Sequence, residues 1–227
     1  MQHIRARELV LKTSAIQGEL KECLRRIDRT PSTHTVRGMY VGGIVQAIAS
    51  MGFEPTKVER IHAFKEYSVR EYMELLLDSA ISIYPGGGVH EGLRRLGGMA
   101  IPTFAKSMAG GVIMATAGRS WDLSLSLVSR GYELSLKPGK CTVVENANGR
   151  ALIQLREVWN FCESYQIGVM EGLMQSCKLE GTVKPTLITP CDADLEIRWE
   201  TARDAVSRRS RGRGEAQAGA GTAPGVR

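Results

Sequence analysis

The sequence predicts an α+β fold, with an N-terminal helical layer packed on a small antiparallel sheet and a late helix–hairpin unit. Three observations carry this. Early in the chain, apolar residues recur at helical spacing, as in Ile16, Leu20, Cys23, Leu24 and Ile27. Late in the chain, residues 151–158 and 193–199 alternate apolar and polar, the period of half-buried strands. Between those strands, Phe161, Tyr165, Ile167, Val169, Leu173 and Met174 form one more stripe near helical period. Helices followed by strands, with one late helix among them, make an antiparallel sheet with helices on one side.

Taken in order, residues 1–15 are charged and without a stripe, and read as a flexible arm. Residues 16–27 form a short amphipathic helix, broken at Thr30-Pro31 because proline disfavours helix at itself and just before. Residues 36–51 are apolar nearly all round and rich in small residues, the profile of a buried helix with Gly52 as its stop. A connection follows, with a short helix after Thr56. Ser68 and Glu71 make a capping box that opens a helix over 69–84. Pro85 and Gly86–Gly88 end it. Residues 89–117 form a long helix or two shorter ones, with a kink or break expected at Gly97-Gly98 and Pro102. Ser120 caps a helix over 121–129, and 132–136 and 141–145 read as strands joined by a Lys137–Lys140 turn. After a turn at 146–149 and the strand over 151–158, Asn160 and Glu163 have capping-box spacing for the late helix. Gly168 and Gly172 share one face of that helix and call for close packing, with the sheet as the expected neighbour. Gly181 reads as its stop, and 182–188 and 193–199 as a hairpin turned at 190–192. The domain is expected to span 16–200, followed by a disordered Arg-, Gly- and Ala-rich tail over 201–227.

Composition narrows the function classes. Hydrophobic residues at 43% and charged ones at 24% are ordinary globular values. The net charge of +6 is concentrated at the end, where six arginines face two acids from Arg203 onward, so the body is nearly neutral and carries no nucleic-acid signature. The N-terminus lacks a signal-peptide apolar core and no run approaches a membrane span, so a cytoplasmic protein is expected. Cys23, Cys141, Cys162, Cys177 and Cys191 are widely spaced with no CxxC, and read as small buried hydrophobes.

No catalytic or metal constellation forms. YPGGGVHEG follows a helix and lacks the lysine of a phosphate loop. His90-Glu91 lacks the second histidine of a zincin, since position 94 is Arg. Ser107, Ser124, Ser126 and Ser129 have no nucleophile-elbow setting. Glu157, Glu163, Glu171 and Asp194 read as caps and solvated faces. Trp121, Trp159, Trp199, Tyr165, Phe161 and Met99, Met108, Met114, Met170 and Met174 read as core, with an apolar pocket between helices and sheet as the alternative. The RRSRGRG run reads as solubilising.

The run GVMEGLMQS at 168–176, followed by a hairpin ending in DADLEIRW, resembles the C-terminal signature of a family of uncharacterised proteins largely confined to myxobacteria. VRGMYV at 36–41, the stretch from YSVREYMELL through YPGGG, and EGLRRLG at 91–97 are similar to the same family. More distantly, the order of elements resembles vinyl-reductase-type ligand-binding domains, a superfamily that includes haem nitric-oxide-binding domains and vesicle-tethering subunits. A haem site of that kind implies a mid-chain histidine, and residues 93–199 contain none. The zinc site of vinyl-reductase-type domains implies clustered Cys and Glu in the last hairpin, where only Cys191 stands.

The expected function is a non-enzymatic regulatory or adaptor module that binds a partner protein or a second copy of itself, without cofactor, metal, nucleic acid or membrane. The alternative is a small-molecule sensor holding an apolar ligand between helices and sheet. A filled core favours the first and a cavity of several hundred Å³ the second.

Overall fold

A computed structural model describes residues 14–53, 61–106, 111, 115 and 120–200 of the chain. Six helices and two antiparallel sheets are formed by the described residues. The chain runs α1 (Ser14–Arg29), β1 (Thr35–Arg37), α2 (Gly38–Ser50), β2 (Glu66–Ser68), α3 (Val69–Ile83), α4 (Val89–Lys106), α5 (Trp121–Ser135), β3 (Leu136–Lys137), β4 (Lys140–Ala147), β5 (Arg150–Arg156), α6 (Tyr165–Ser176), β6 (Gly181–Leu187) and β7 (Ala193–Trp199). Most of the expected arm, the whole expected tail, the helix after Thr56 and most of 107–119 lie outside the described residues. No helix among the described residues is long and apolar enough to cross a membrane.

The main sheet has the order β4-β5-β7-β6. Its alternation buries one row per strand: Ala151, Ile153 and Leu155 of β5 lie opposite Ile197, Leu195 and Ala193 of β7, all fully buried. The β4–β5 hairpin turns on Asn148 and Gly149, both with positive φ, as a two-residue hairpin loop requires. In the β6–β7 turn, Thr189 Oγ1 donates to Asp192 Oδ2 at 2.8 Å and accepts from the Asp192 amide at 3.0 Å. The second sheet, β2-β1-β3, was not legible in the sequence. Its strands are two or three residues long, below the length at which alternation can be read.

Ser68 and Ser120 cap α3 and α5 as expected, accepting from the amides of Arg70 at 3.2 Å and Leu123 at 3.4 Å. Several boundaries differ from expectation. The helix expected over 36–51 begins at Gly38, after β1, and buries one stripe (Val41, Ile44, Ala47, Ile48) rather than its whole girth. Residues 132–135, expected as a strand, are the last turn of α5, where Tyr132 and Ser135 continue the buried stripe of Ser124 and Leu125. The late helix starts at Tyr165 rather than beside Asn160, because 157–164 form an irregular loop with positive φ at Glu157 and Phe161. Its end also moves: α6 stops at Ser176 with Lys178 at positive φ, and Gly181 instead opens β6, where a Cβ would overlap the Arg198 carbonyl oxygen of β7.

The largest difference is in α4, which runs unbroken through Gly97, Gly98 and Pro102. Its close partner explains this. A Cβ on Gly97 would overlap the Tyr165 carbonyl oxygen, one on Gly168 the Arg94 carbonyl oxygen, and one on Gly172 would lie 2.5 Å from the Gly98 carbonyl oxygen. The glycines let the two helix backbones touch, so the neighbour of Gly168 and Gly172 is α4 and not the sheet. Pro102 removes the N–H that would bond the Gly98 carbonyl. That same carbonyl abuts Gly172. Packing thus keeps helical a segment whose local propensities favour a break.

Candidate functional site

A cavity of about 430 Å³ lies among β1, α2, α3, α4, α5, α6 and the 157–164 loop. Its size falls within the roughly 300–1,000 Å³ of small-molecule sites. The space has a sequence origin. The residues that α5 turns toward it include Ser124, Val128, Gly131 and Ser135, spaced at three and four and all small, so this face cannot fill the gap to α2 and α4. Both ends of α5 are held elsewhere. Trp121 packs on Trp199 in a tilted arrangement with ring centroids 5.1 Å apart and donates from Nε1 to Asn146 Oδ1 at 3.0 Å. Tyr132 donates from its hydroxyl to Gln166 Oε1. Pinned at both ends, the helix does not collapse onto its neighbours.

Floor and rim differ. The floor is buried and holds Tyr72, Tyr132, Asn160, Tyr165 and Gln166. The rim carries the exposed Arg130 and Leu134 with the half-buried Tyr40 and Phe104, whose rings stack 6.0 Å apart. Tyr40 also donates to the Gly131 carbonyl at 3.2 Å, bridging α2 to α5.

The floor's polar atoms are nearly all paired. The Tyr72 and Tyr165 hydroxyls share one hydrogen bond of 3.0 Å, and Gln166 Nε2 donates to the Asn160 carbonyl at 3.5 Å. Two capacities remain unused. A pair of phenols sharing one bond keeps one O–H to donate, and Asn160 Oδ1, on a residue only 4% exposed, has no partner. Asn160 was expected to cap α6. Since α6 starts later, that oxygen is left without a donor on a residue that lines the cavity.

Burial pushes the Tyr165 hydroxyl up to about 12, and pushes Tyr72 and Tyr132 well above the usual phenol range. Tyr40 is raised for the same reason. All four phenols therefore stay protonated across physiological pH. The cavity has neutral donors and acceptors and a single cation, Arg130.

Of the residues proposed from sequence as pocket lining, only Tyr165 lines this cavity. Phe161, Met170 and Met174 are core, Trp121 and Trp199 pack on each other, Trp159 packs at the edge of the core, and Met99 is half-buried on α4. Met108 and Met114 lie outside the described residues, as does Ser107. Of the acids considered for chemistry, Glu163 pairs with Arg26, Glu171 with Arg94 and Asp194 with Arg156 at 2.8 Å, while Glu157 lies within hydrogen-bond distance of His34 Nε2 at 3.0 Å. His90 Nδ1 stands 3.7 Å from Glu163 Oε1. Of the described serines considered for chemistry, Ser124 lines the cavity, and Cys177 donates to its hydroxyl at 3.4 Å. No group of three His, Cys, Asp or Glu able to hold a metal forms among the described residues. All five cysteines are free and buried, and burial pushes the Cys23 and Cys141 thiols up to about 12 and about 11. The signal sequence reading missed was the small-residue stripe on α5, which marks space rather than chemistry.

The family described as "Protein of unknown function (DUF2378)" matches residues 29–200. No curated protein matches the chain. Among solved structures, the fold is similar to an H-NOX protein from S. oneidensis in the Fe(II) ligation state, with a TM-score of 0.57 and 11% identity over 73% of this chain and 96% of that one. It is similar to a doubly substituted Tt H-NOX, with a TM-score of 0.53 and 17% identity over 73% and 95%. A third, titled for modulating heme redox potential through porphyrin distortion, has a TM-score of 0.50 and 17% identity over 82% and 94%. These likenesses establish an H-NOX-like α+β fold.

The residues around the cavity do not fit a haem. No histidine or cysteine lines it among the described residues. Its phenols are held protonated and Tyr72, Tyr132 and Tyr165 are tied to one another or to Gln166, the opposite of what a tyrosinate ligand needs. Met39 is the remaining candidate, and haem proteins use methionine beside histidine. Protein expressed with added haem precursor is therefore expected to show no Soret absorbance after purification. A Soret band at one haem per chain overturns this assignment.

Proposed function

We propose, for a chain that belongs to DUF2378, a family of proteins of unknown function, that the domain is a sensor holding an apolar small molecule in the cavity between α2, α4, α5 and α6, without haem. The observation that carries this reading is the cavity itself: about 430 Å³, walled mainly by apolar and aromatic side chains, with a few convergent polar groups on its floor. A filled core was the feature expected to favour the adaptor reading over the sensor. The cavity moves the preference to the sensor.

The role proposed is binding without chemical transformation. It is supported by phenols held neutral by burial and by acids engaged in ion pairs away from the cavity floor. A cytoplasmic setting is part of the proposal, in keeping with five buried free cysteines.

Ala100 on α4 lines the space, so Ala100→Phe places its ring in the cavity with little change in fold stability. In native mass spectra, wild-type protein purified without additions is expected to carry an excess mass that leaves on denaturation, and Ala100→Phe to lack it at an unchanged Tm. Bare chain mass for the wild type, before and after incubation with a lipid extract, ends the sensor reading.

A further inference from the structure

We infer that the occupant of this cavity is a single-chain carboxylic acid bearing a hydroxyl toward its far end. The inference rests on the cavity being a ligand site and assigns the chemistry of what it takes. Three features of one enclosure lead to it. Arg130, at the rim, is exposed and has no hydrogen-bond or ion-pair partner among the described residues. Lys137 and Arg37 on the adjoining strands are engaged, with Glu66 at 2.5 Å and the Phe64 carbonyl at 3.5 Å. A guanidinium with no partner among the described residues, at the mouth of an apolar space, suits one carboxylate, which it meets with a charge-assisted, two-pronged hydrogen bond.

Behind Arg130 the walls are chiefly apolar (Leu127, Val128, Ile101, Val169), and they match a hydrocarbon chain. At the buried side stand the two unused capacities: Asn160 Oδ1, which lacks a donor, and the spare O–H of the Tyr72–Tyr165 pair, which lacks an acceptor. A buried polar atom left unpaired is costly, and a ligand that pairs it removes that cost. A hydroxyl both donates and accepts, so it can pair with either group. A plain hydrocarbon serves neither. A second carboxylate at the floor would find no cation, because the floor holds only neutral groups.

The test uses three probes on the full chain by isothermal titration: ω-hydroxydodecanoate, dodecanoate and methyl ω-hydroxydodecanoate. The hydroxy acid is expected to bind about tenfold tighter than either of the others, the scale of one good hydrogen bond or exposed charge contact. Arg130→Gln erases its advantage over the ester, and Asn160→Leu erases its advantage over dodecanoate. Equal binding of all three overturns the assigned chemistry while leaving an apolar site in place. Binding of none overturns this inference together with the sensor reading.

Discussion

Gly168→Ala is expected to destabilise the protein by about 3 kcal/mol, the upper part of the range for overpacking. On helix propensity alone the change should stabilise by about 1 kcal/mol. The geometry reverses the sign. The new methyl would overlap the Arg94 carbonyl oxygen of α4, and both partners are helix backbone, with no flexible side chain to swing aside. The helices must part, and they part where Leu93, Leu96 and Leu173 are fully buried. For a chain of this size the midpoint of thermal unfolding should fall by roughly 6–12 °C. Gly43→Ala on α2 is the control: a Cβ there meets nothing within 4 Å, so the same chemical change should raise stability by several tenths of a kcal/mol to about 1 kcal/mol. Equal effects of the two substitutions by calorimetry would mean that the α4–α6 contact is looser than described.

Glu163→Ala has the second largest expected effect, a loss of about 3–5 kcal/mol in urea denaturation. Arg26 is only 6% exposed and is paired with Glu163, itself 15% exposed. Removing the carboxylate leaves a guanidinium charge out of water. The remaining acid near it, Glu22, is 56% exposed and 3.7 Å away, too solvated to replace the lost partner. The double change Arg26→Met with Glu163→Leu removes both charges and should recover most of the loss, since an apolar pair of similar volume leaves nothing uncompensated. A single-variant loss below about 1 kcal/mol would show that water reaches Arg26. The pair also ties α1 to the loop that carries Asn160, so the same measurement reports on one wall of the cavity.

Much of the architecture was legible because local signals agreed with the tertiary outcome. Strands β5 and β7 alternate cleanly, Ser68 and Ser120 cap where they should, and the GVMEGLMQS–DADLEIRW block falls on α6, β6 and β7. Reading failed where a neighbour decided. Gly97, Gly98 and Pro102 predict a break when taken alone, and they form one helix only because Gly168 and Gly172 lie against them. The tetrad at 132–135 alternates like a strand, but Tyr132 finds its partner in Gln166 and stays helical. Asn160 and Glu163 have capping-box spacing, yet Glu163 is drawn to Arg26 and Asn160 is left with an unpaired oxygen. The pocket residues were sought among large aromatics and methionines, which pack well and close space. Space is left by Ser124, Val128, Gly131 and Ser135, whose smallness shows only once the opposing helices are in place.

Helix α4 carries both the glycine contact and a wall of the cavity. Arg94, Gly97 and Gly98 are clasped by α6, while Ala100, Ile101 and Phe104 face the enclosed space about one turn further on. Between them the Gly98 carbonyl lacks the hydrogen bond that Pro102 cannot give, which makes this the turn of least bending stiffness. The helix therefore joins the clasp to the cavity wall through its softest turn. On the proposed sensor reading, an occupant that displaced Ile101 or Phe104 would act through this turn and through the Tyr40 ring stacked on Phe104.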